Sequence, residues 1–541
     1  MSVLTFAGFG GIAPRLDPTL LPPNGAQIAL NCRLQSGGAV EPYNEPVEVY
    51  GPVSGTKAIY RFKRATPSDT QWWFTSPNDV DFQLGHVAGD EKERTFYTSD
   101  AHEPRYTYSG RAETGGGPYP SQWFRLGVPK PTGIPFATKS GTPEEGTDPE
   151  LRYYVITFVT SDGQESAPSP VSNGVNWHLG ETVTLTYTGG FPAGNYDFLT
   201  GKVRIYRTQS GSNGGSFFFA AEVGIAQLNS GWADNVETLG EEIPTDGWDP
   251  PDAQLRGLTS MPNGFFAAFK GQDVWFSAPF APYAWPAGYR LTVDLPIVGM
   301  AAFGHSLAVL TIGEPHVFSG ADPGLMSGQK LALKQACVSK RGIQTVGNAV
   351  FYPSPDGLVS ISDAGISIVT ENHFTKREWQ ELKPESMVGA SHDGLYIAFY
   401  DTGSTKGGLV LDPRNGAITT TDIYATAAFS DTVTDELYLC INSRIQKWDA
   451  GVPLTMVWKS KKHPITKPSS FAWGQVIATS YPVTLDLWAD GVPVVVSKPV
   501  TSDAPFRLPS GFGRFWEVQV QGAQRVLAVH LANEARELAS V

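Results

Sequence analysis

Between about Gly257 and Gly451, apolar and polar positions alternate in short runs broken by tight turns. The runs are GLTSMPNGFFAAFKGQDVWFS, IVGMAAFGHSLAVLTIGEPHVFSG, IQTVGNAVFYPSPDGLVSIS, MVGASHDGLYIAFYD and ATAAFSDTVTDELYLCINSRIQKWDAG. Anchored at Ser260, Ala301, Gln344, Gly389 and Ala428, successive units begin 41, 43, 45 and 39 residues apart. Period-two alternation argues for strands, and spacing near forty residues for four-stranded units that stack because none can bury both faces alone. Turns are expected at Asn263-Gly264, Gly304-His305, Asp356-Gly357 and Asp393-Gly394,. The pattern predicts an all-β chain organised as a β-propeller of six to eight blades.

The remaining segments read differently. Residues 1–50 open with the Gly/Pro-punctuated GFGGIAPRLDPTLLPPNGAQ, then a strand over 26–34, a turn at Ser36–Gly38 and a further short strand. Residues 55–110 (KAIYRFKR, QWWFTSPNDVDFQLG, RTFYTSDAHEPRYTY) read as another blade, and the Gly/Pro/Ser/Thr-rich 110–150 as a linker or mobile loop,. Residues 151–246 carry closely spaced strands in LRYYVITFVTSDGQESAPSP, ETVTLTYTG, KVRIYRTQSG and SFFFAAEVG, with a turn at Asp162-Gly163. Through Tyr153–Pro170 and the VRIYRT block, this stretch resembles a fibronectin type III-like domain, here inserted between blades. Residues 452–541 hold longer alternating strands with a hairpin turn at Ala489-Asp490-Gly491 and read as a C-terminal β-sandwich,. The expected domains are 1–150 (N-terminal segment and first blades), 151–250 (inserted domain), 251–451 (remaining blades) and 452–541 (terminal sandwich). Short helices are expected only at 375–382 and 533–539.

Composition agrees with strands and turns: 58 Gly and 42 Pro in 541 residues, 12 % aromatic and 17 % charged,. Cys32, Cys337 and Cys440 are too few and too scattered for a disulfide framework and read as reduced, buried thiols,. The opening residues lack a basic stretch leading into an apolar run, so a soluble protein made in a reducing cytoplasm is expected. A net charge of −13 argues against a surface that grips nucleic-acid phosphates,.

Catalytic patterns are sparse. The sequence contains no Gly-x-Ser-x-Gly elbow, His-Glu-x-x-His or P-loop,. GFGG at Gly8–Gly11 lacks the strand, helix and downstream acid of a dinucleotide site. His86, His102, His305, His316, His373, His392, His463 and His530 have no partner at ligand spacing. Asp79 and Asp81 share a strand face but lack a third ligand and read as an edge or turn cap. Asp273, Asp294, Asp356, Asp363, Asp393 and Asp401 are candidates for a carboxylate pair at a propeller axis, although most occupy turns that favour Asp. Lys459, Lys461, Lys462 and His463 form a basic patch read as a solvated strand edge. No catalytic, cofactor or metal residues are therefore assigned, and an enzyme is not expected.

The whole chain resembles the tail nozzle proteins (tail tubular protein B-like) of short-tailed bacteriophages. The resemblance rests on the opening GGIAPRLDPTLLPPNGAQIALNCRLQSGGAVEP, on YRFKR, the paired tryptophans, NDVDF and YTSDAHEPRYT, and on the order of parts. It implies a structural virion protein in the phage tail, assembled in the host cytoplasm as a homohexamer. The ring would contact the adaptor (head-to-tail connector) ring and tail fibres or spikes, and genomic DNA would pass its lumen without sequence-specific binding. Six copies at −13 carry −78, a field that repels DNA,. A net negative lumen wall is expected. The competing expectation is a receptor- or carbohydrate-binding appendage using Trp72, Trp73, Trp285 and Trp379 as stacking platforms; a propeller glycosidase is a third.

Overall fold

The computed structural model describes residues 3–34, 37–62, 72–209 and 215–538. Residues 35–36, 63–71, 210–214 and 539, which fall within sequence segments singled out above, lie outside them. The chain is all-β, built of many small sheets. It divides into two compact units, one of Met1–Pro77, Val298–Val317 and Gln329–Val541, the other of Asn78–Ile297 and Phe318–Gly328.

Four consecutive strands form a sheet in each of the spans 80–125, 256–292, 297–330 and 344–368. Val388–His392, Leu395–Asp401, Lys406–Asp412 and Ala417–Thr421 form another antiparallel run of four. The five repeat anchors fall in the first strands of the successive groups from Arg256–Met261 to Ala427–Asp431. Turn chemistry explains the sharp reversals: Asn263 and Gly264 have φ of 66° and 82°, Asp393 and Gly394 50° and 70°, left-handed values that Asn, Asp and Gly tolerate best,. One expected turn is displaced. Asp356-Gly357 joins the second and third strands of its sheet, and Gly347, with φ 58°, supplies the first reversal. Both sites are Gly-containing breaks, so composition alone did not rank them.

The first fifty residues differ most from the expected grouping with the first blades. Val3–Ala7 pairs with Val526–Ala532, and Cys32–Leu34 pairs with Val40–Pro42, which pairs in turn with Val526–Ala532. Ala26–Leu30 pairs antiparallel with Met456–Ser460 and, at Leu30, parallel with Thr420. The N-terminal strands thus complete the C-terminal layer and join its sheet to the 388–421 strands in one ten-stranded sheet. Val47–Tyr50 supplies the fourth strand beside Ala427–Asp431, Glu436–Ile441 and Arg444–Lys447. One continuous apolar core in this unit runs from Phe351, Trp379 and Tyr396 through Ala26 and Ala29 to Trp458, Trp516 and Val529. Each large side chain buried there contributes roughly 1.5–3 kcal/mol.

Asn31 closes the joint. It is 2 % exposed with φ 54°. Its amide N–H donates to the Thr420 carbonyl (2.7 Å), and its side-chain oxygen accepts from the Thr421 hydroxyl (2.9 Å) and the Asp422 N–H (3.3 Å). The GFGG segment packs rather than binds: a Cβ on Gly11 would come within 2.5 Å of the Ile418 backbone, and the Trp458 indole donates to the Gly10 carbonyl (3.0 Å).

In the other unit, the inserted module has two three-stranded sheets. One comprises Phe136–Gly141, Glu181–Thr186 and Trp232–Asp234; the other comprises Tyr154–Val159, Lys202–Thr208 and Phe217–Val223. Ala137, Leu185 and Trp232 from the first meet Ile156, Phe158 and Ile205 from the second in one core. The span 110–150 is therefore not a linker. It contains Phe124–Arg125 and Phe136–Gly141, and Phe124, Leu126, Val128 and Ala137 are buried despite its Gly/Pro-rich composition.

Helices occupy Ile225–Ser230, Lys376–Glu381 and Ala535–Leu538. The second starts with a capping box, Thr375 accepting from the Glu378 N–H while the Glu378 carboxylate accepts from the Thr375 N–H,. The first was not foreseen because its single turn of periodicity is too short to register.

Two predictions concern this core. Asn31→Ala removes buried hydrogen bonds and leaves a left-handed residue without its side-chain support. It is expected to cost about 2–3 kcal/mol in denaturant unfolding; a loss below roughly 0.5 kcal/mol would show that the joint does not depend on it. His463 packs edge-on against Phe6 at 4.7 Å, and burial, reinforced by Lys461, depresses its pKa from 6.5 to about 4. The depressed folded value means that the unfolded chain binds the proton first. Stability is thus full above pH 6.5 and falls as pH drops toward 4, a slope that His463→Gln should flatten in pH-dependent melting.

Candidate functional site

A cleft of about 380 Å³ is lined by Arg33, Tyr43, Asp393, Asp412, Arg414 and Thr419, with Cys32 among its apolar walls. Three of its four charged side chains, Arg33, Asp412 and Arg414, are engaged in ion pairs. Arg33 pairs with Asp449 and with Glu41 (3.6 Å) and lies 5.1 Å from the Tyr43 ring centre. Arg414 is held by its near neighbour Asp412 through contacts of 2.8 and 3.0 Å. Burial raises the Tyr43 hydroxyl and Cys32 thiol pKa values, keeping both protonated at neutral pH,. All three cysteines are free and buried, Cys337 being pushed up to about 12, so none is an activated thiolate,.

A shallower cleft of about 160 Å³ gathers turns of three successive sheets around Thr345, Ser391, Asp393, Ser430, Asp431 and Glu436. Asp431 is bound by Arg61 at 3.0 Å and Glu436 by Lys447 at 2.7 Å. In the other unit, a cavity of about 60 Å³ is lined by His86, Asp90, Arg94, Asp162 and Tyr283. His86 Nε2 lies 2.8 Å from the Ser260 hydroxyl, the spacing of a base and a nucleophile,. Among the described residues, however, no carboxylate bonds the second imidazole nitrogen, and Asp90 is taken by Arg94 at 2.8 Å. The imidazole packs against Phe266 with ring centres 4.3 Å apart, and burial lowers its pKa.

The other sequence candidates are used locally. Asp273 accepts from the Thr292 hydroxyl (2.6 Å), Asp356 pairs with Lys376 and Gln335 (both 2.7 Å), and Asp401 pairs with Lys406 (2.8 Å). Asp363 lies in the reversal between Leu358–Ser362 and Gly365–Ile368, while the Asp294 carbonyl accepts from Gln272 at 3.2 Å. Asp81 accepts the Gly257 N–H (3.0 Å), and the Asp79 carbonyl accepts the Ser99 hydroxyl (3.0 Å). The basic patch is not a free edge. Lys459 lies on a strand paired on both sides, bonds Glu517 at 3.0 Å and sits 4.1 Å from the Trp488 ring centre. Lys461 donates to the Leu21 carbonyl. Trp73, Trp285 and Trp379 are at most 1 % exposed and offer no face to a sugar ring. Among the described residues, no three His, Cys, Asp or Glu side chains converge as a metal site, and no helix is long and apolar enough to cross a membrane.

Sequence reasoning missed the buried ion networks of the inserted module. Asp234, with a fully buried side chain, accepts from Arg207 and the Tyr154 hydroxyl (2.7 Å), with Arg152 at 3.6 Å. Glu165 accepts from Arg204 (2.6 Å), Tyr206 (2.7 Å) and Thr157 (2.6 Å). Asp162, foreseen only as a turn residue, ties the module to the 80–125 sheet: Lys92 donates to its carboxylate at 2.8 Å and the Tyr106 hydroxyl at 3.1 Å. The available signal was Arg204 and Arg207 in a strand otherwise rich in apolar residues, which calls for buried acids.

No family model matches the chain, and no curated protein is similar in sequence. Solved structures with some likeness include BBS1N in complex with ARL6DN (9 % identity, 75 % of this chain and 96 % of that one, TM-score 0.31). Others are the dihydro-heme d1 dehydrogenase NirN in complex with DHE (12 %, 66 % and 73 %, 0.25) and the N-terminal domain of Nup159 (11 %, 59 % and 86 %, 0.23). Likeness at these scores assigns neither fold family nor activity.

Lys92→Met leaves the Asp162 carboxylate with Tyr106 alone. The substitution is expected to cost about 1 kcal/mol and to speed amide exchange in the 160–164 turn. Unchanged exchange there would show that the module is held by its other contacts.

Proposed function

We propose that this chain is a structural virion protein that forms the hexameric tail nozzle of a short-tailed phage and extends the DNA-ejection channel below portal and adaptor. In this reading, the small sheets are blades of one β-propeller. Seven would be present: Ala58–Phe62 with Trp72–Ser76, then 80–125, 256–292, 297–330, 344–368, 388–421, and 427–447 completed by Val47–Tyr50. The module with strands between Phe136 and Asp234 would be a fibronectin type III-like insertion, and the two sheets uniting the chain's first and last strands a terminal β-sandwich. The observation that carries the reading is the order of parts: sheets, an inserted two-sheet module, further sheets, then a terminal layer stitched to the N-terminal strands.

Two features support a structural rather than a catalytic or sugar-binding role. Most candidate acids and bases are spent in local ion pairs and turn hydrogen bonds, and three of the four candidate tryptophans are sealed in cores. Its partners would be its own copies, the adaptor ring and tail fibres or spikes, with DNA passing a net negative lumen; it would need no cofactor.

Quantitative peptide mass spectrometry of purified particles tests this. About six copies against about twelve of the portal are expected for a closed ring of this class. Three copies would indicate a trimeric appendage, and absence from particles would end the virion reading. A lumen lined by Lys and Arg in the assembled tail would overturn the predicted charge of the wall.

A further inference from the structure

The strands Leu395–Asp401, Lys406–Asp412 and Ala417–Thr421 turn their two faces to different surroundings. Tyr396, Leu409, Leu411 and Ile418 enter the continuous core. On the other face Ile397, Val410 and Thr419 are direct antiparallel partners, and Asp412 pairs with Ala417 one step nearer the reversals. Leu395 stands two residues before Ile397 and shares that face. Part of this face floors the cleft of about 380 Å³, a volume within the usual range for small-molecule sites,. Leu395, Val410 and Ala417 are its aliphatic floor, and Asp393 with the Arg414-Asn415 turn stands at the end where the strands reverse. Arg33, Leu34 and Tyr43 add a wall from the N-terminal segment. The Tyr43 ring is held in place, its centre 5.3 Å from that of Trp448 and 5.1 Å from the Arg33 guanidinium.

Several polar groups of this cleft are unused. Tyr43 and Thr419 are each 4 % exposed, yet neither hydroxyl has a hydrogen-bond partner among the described residues. Buried hydroxyls are rarely left so, because the desolvation is uncompensated. Asn415 accepts the Ala417 N–H through its side-chain oxygen at 2.8 Å, which leaves its amide N–H groups to donate,. Asp393, in a left-handed turn with φ 50°, has no bonded partner for its carboxylate among the described residues. The guanidiniums, by contrast, are compensated, Arg33 by Asp449 and Glu41 and Arg414 by Asp412 at 2.8 Å. The open set is therefore one acceptor, one donor and two hydroxyls that can do both. An anionic ligand would meet arginines already neutralised and an opposing carboxylate, and a cationic one would find Asp393 alone. A neutral molecule rich in hydroxyls, each of which donates and accepts, satisfies the whole set.

We propose that this cleft binds a neutral saccharide, a mono- or disaccharide unit, with its hydroxyls on Asp393, Asn415, Tyr43 and Thr419 and its C–H face on Leu395, Val410 and Ala417. The site uses none of the tryptophans, and it is independent of the ring reading above, since every group it needs belongs to one copy of the chain.

The test uses the full chain, with isothermal titration and saturation-transfer NMR, and glucose, galactose, mannose and maltose as probes. At least one of them is expected to bind, and more tightly than glucuronate or glucosamine. Thr419→Val and Tyr43→Phe each delete a hydroxyl at nearly constant volume and should weaken that binding by about tenfold. Neither hydroxyl has a protein partner to lose, so both variants should melt within about 2 °C of the native chain. Asp393→Asn, which suits the same left-handed turn, should weaken binding comparably. Dextran binding alongside glucose would identify a unit within a chain as the ligand, and glucose without dextran a free sugar; both support the site. No binding of the four sugars at about 50 mM, affinity unchanged in all three variants, or tighter binding of glucuronate or glucosamine overturns the proposal. So do hydroxyl variants that both melt more than about 5 °C lower, which would place those hydroxyls in the fold rather than in a site. Sugar binding by a protein absent from particles would keep this site and remove the nozzle, and six copies per particle without sugar binding would do the reverse.

Discussion

The pairing of Ala26–Leu30 with strands from two distant parts of the chain is the constraint on which its larger unit depends. On one side the strand meets Met456–Ser460; on the other it reaches Thr420, and Asn31 secures the crossing with buried hydrogen bonds. Without it the 388–421 strands and the terminal strands would each present an unpaired edge, a costly exposure of backbone donors and acceptors. The Gly10-Gly11 segment follows from the same demand, since only a residue without a side chain lies flat on the Ile418 backbone while Trp458 closes over it. Loop-closure entropy grows only slowly with length, so joining residue 30 to residue 420 is offset by the continuous core it creates,.

The second theme is how charge is handled. Inside the inserted module, Asp234 and Glu165 are buried carboxylates satisfied by arginines and tyrosine hydroxyls, and Asp162 is satisfied by Lys92 and Tyr106. Such networks add little net stability compared with apolar packing, but leaving one member unpaired is expensive, so they favour a single arrangement of the strands that carry them. By contrast, Glu144, Glu145 and Asp148 stand exposed on the 144–148 loop, and Lys467 and Arg514 are exposed as well.

Much of the strand pattern was legible because its causes are local. Alternation in LYIAFYD and ELYLCI, the left-handed demand at Asn263-Gly264 and Asp393-Gly394, and the Thr375–Glu378 capping box each act within a few residues. Misreadings arose where composition spoke against burial. The Gly/Pro-rich 110–150 span hides Phe124, Leu126 and Ala137 in cores, and Lys459 reads as an edge residue although its strand is paired on both sides. Of the candidate site residues, Asp273, Asp356 and Asp401 were legible as turn acids, but their partners Thr292, Lys376 and Lys406 were not, since a side-chain pair leaves no period in the sequence.

By itself, then, the sequence determined the strand content, the near-forty-residue recurrence of its units, the separate character of residues 151–246 and the inertness of three scattered cysteines. These follow from backbone propensity, side-chain period and turn sterics, all short-range. Only the tertiary structure decided that the N-terminal strands belong with the last ninety residues, that Val47–Tyr50 completes a sheet begun near residue 427, and that Arg207 meets Asp234. Those choices turn on which edges and charges remain unsatisfied once local structure has formed, a competition among groups hundreds of residues apart.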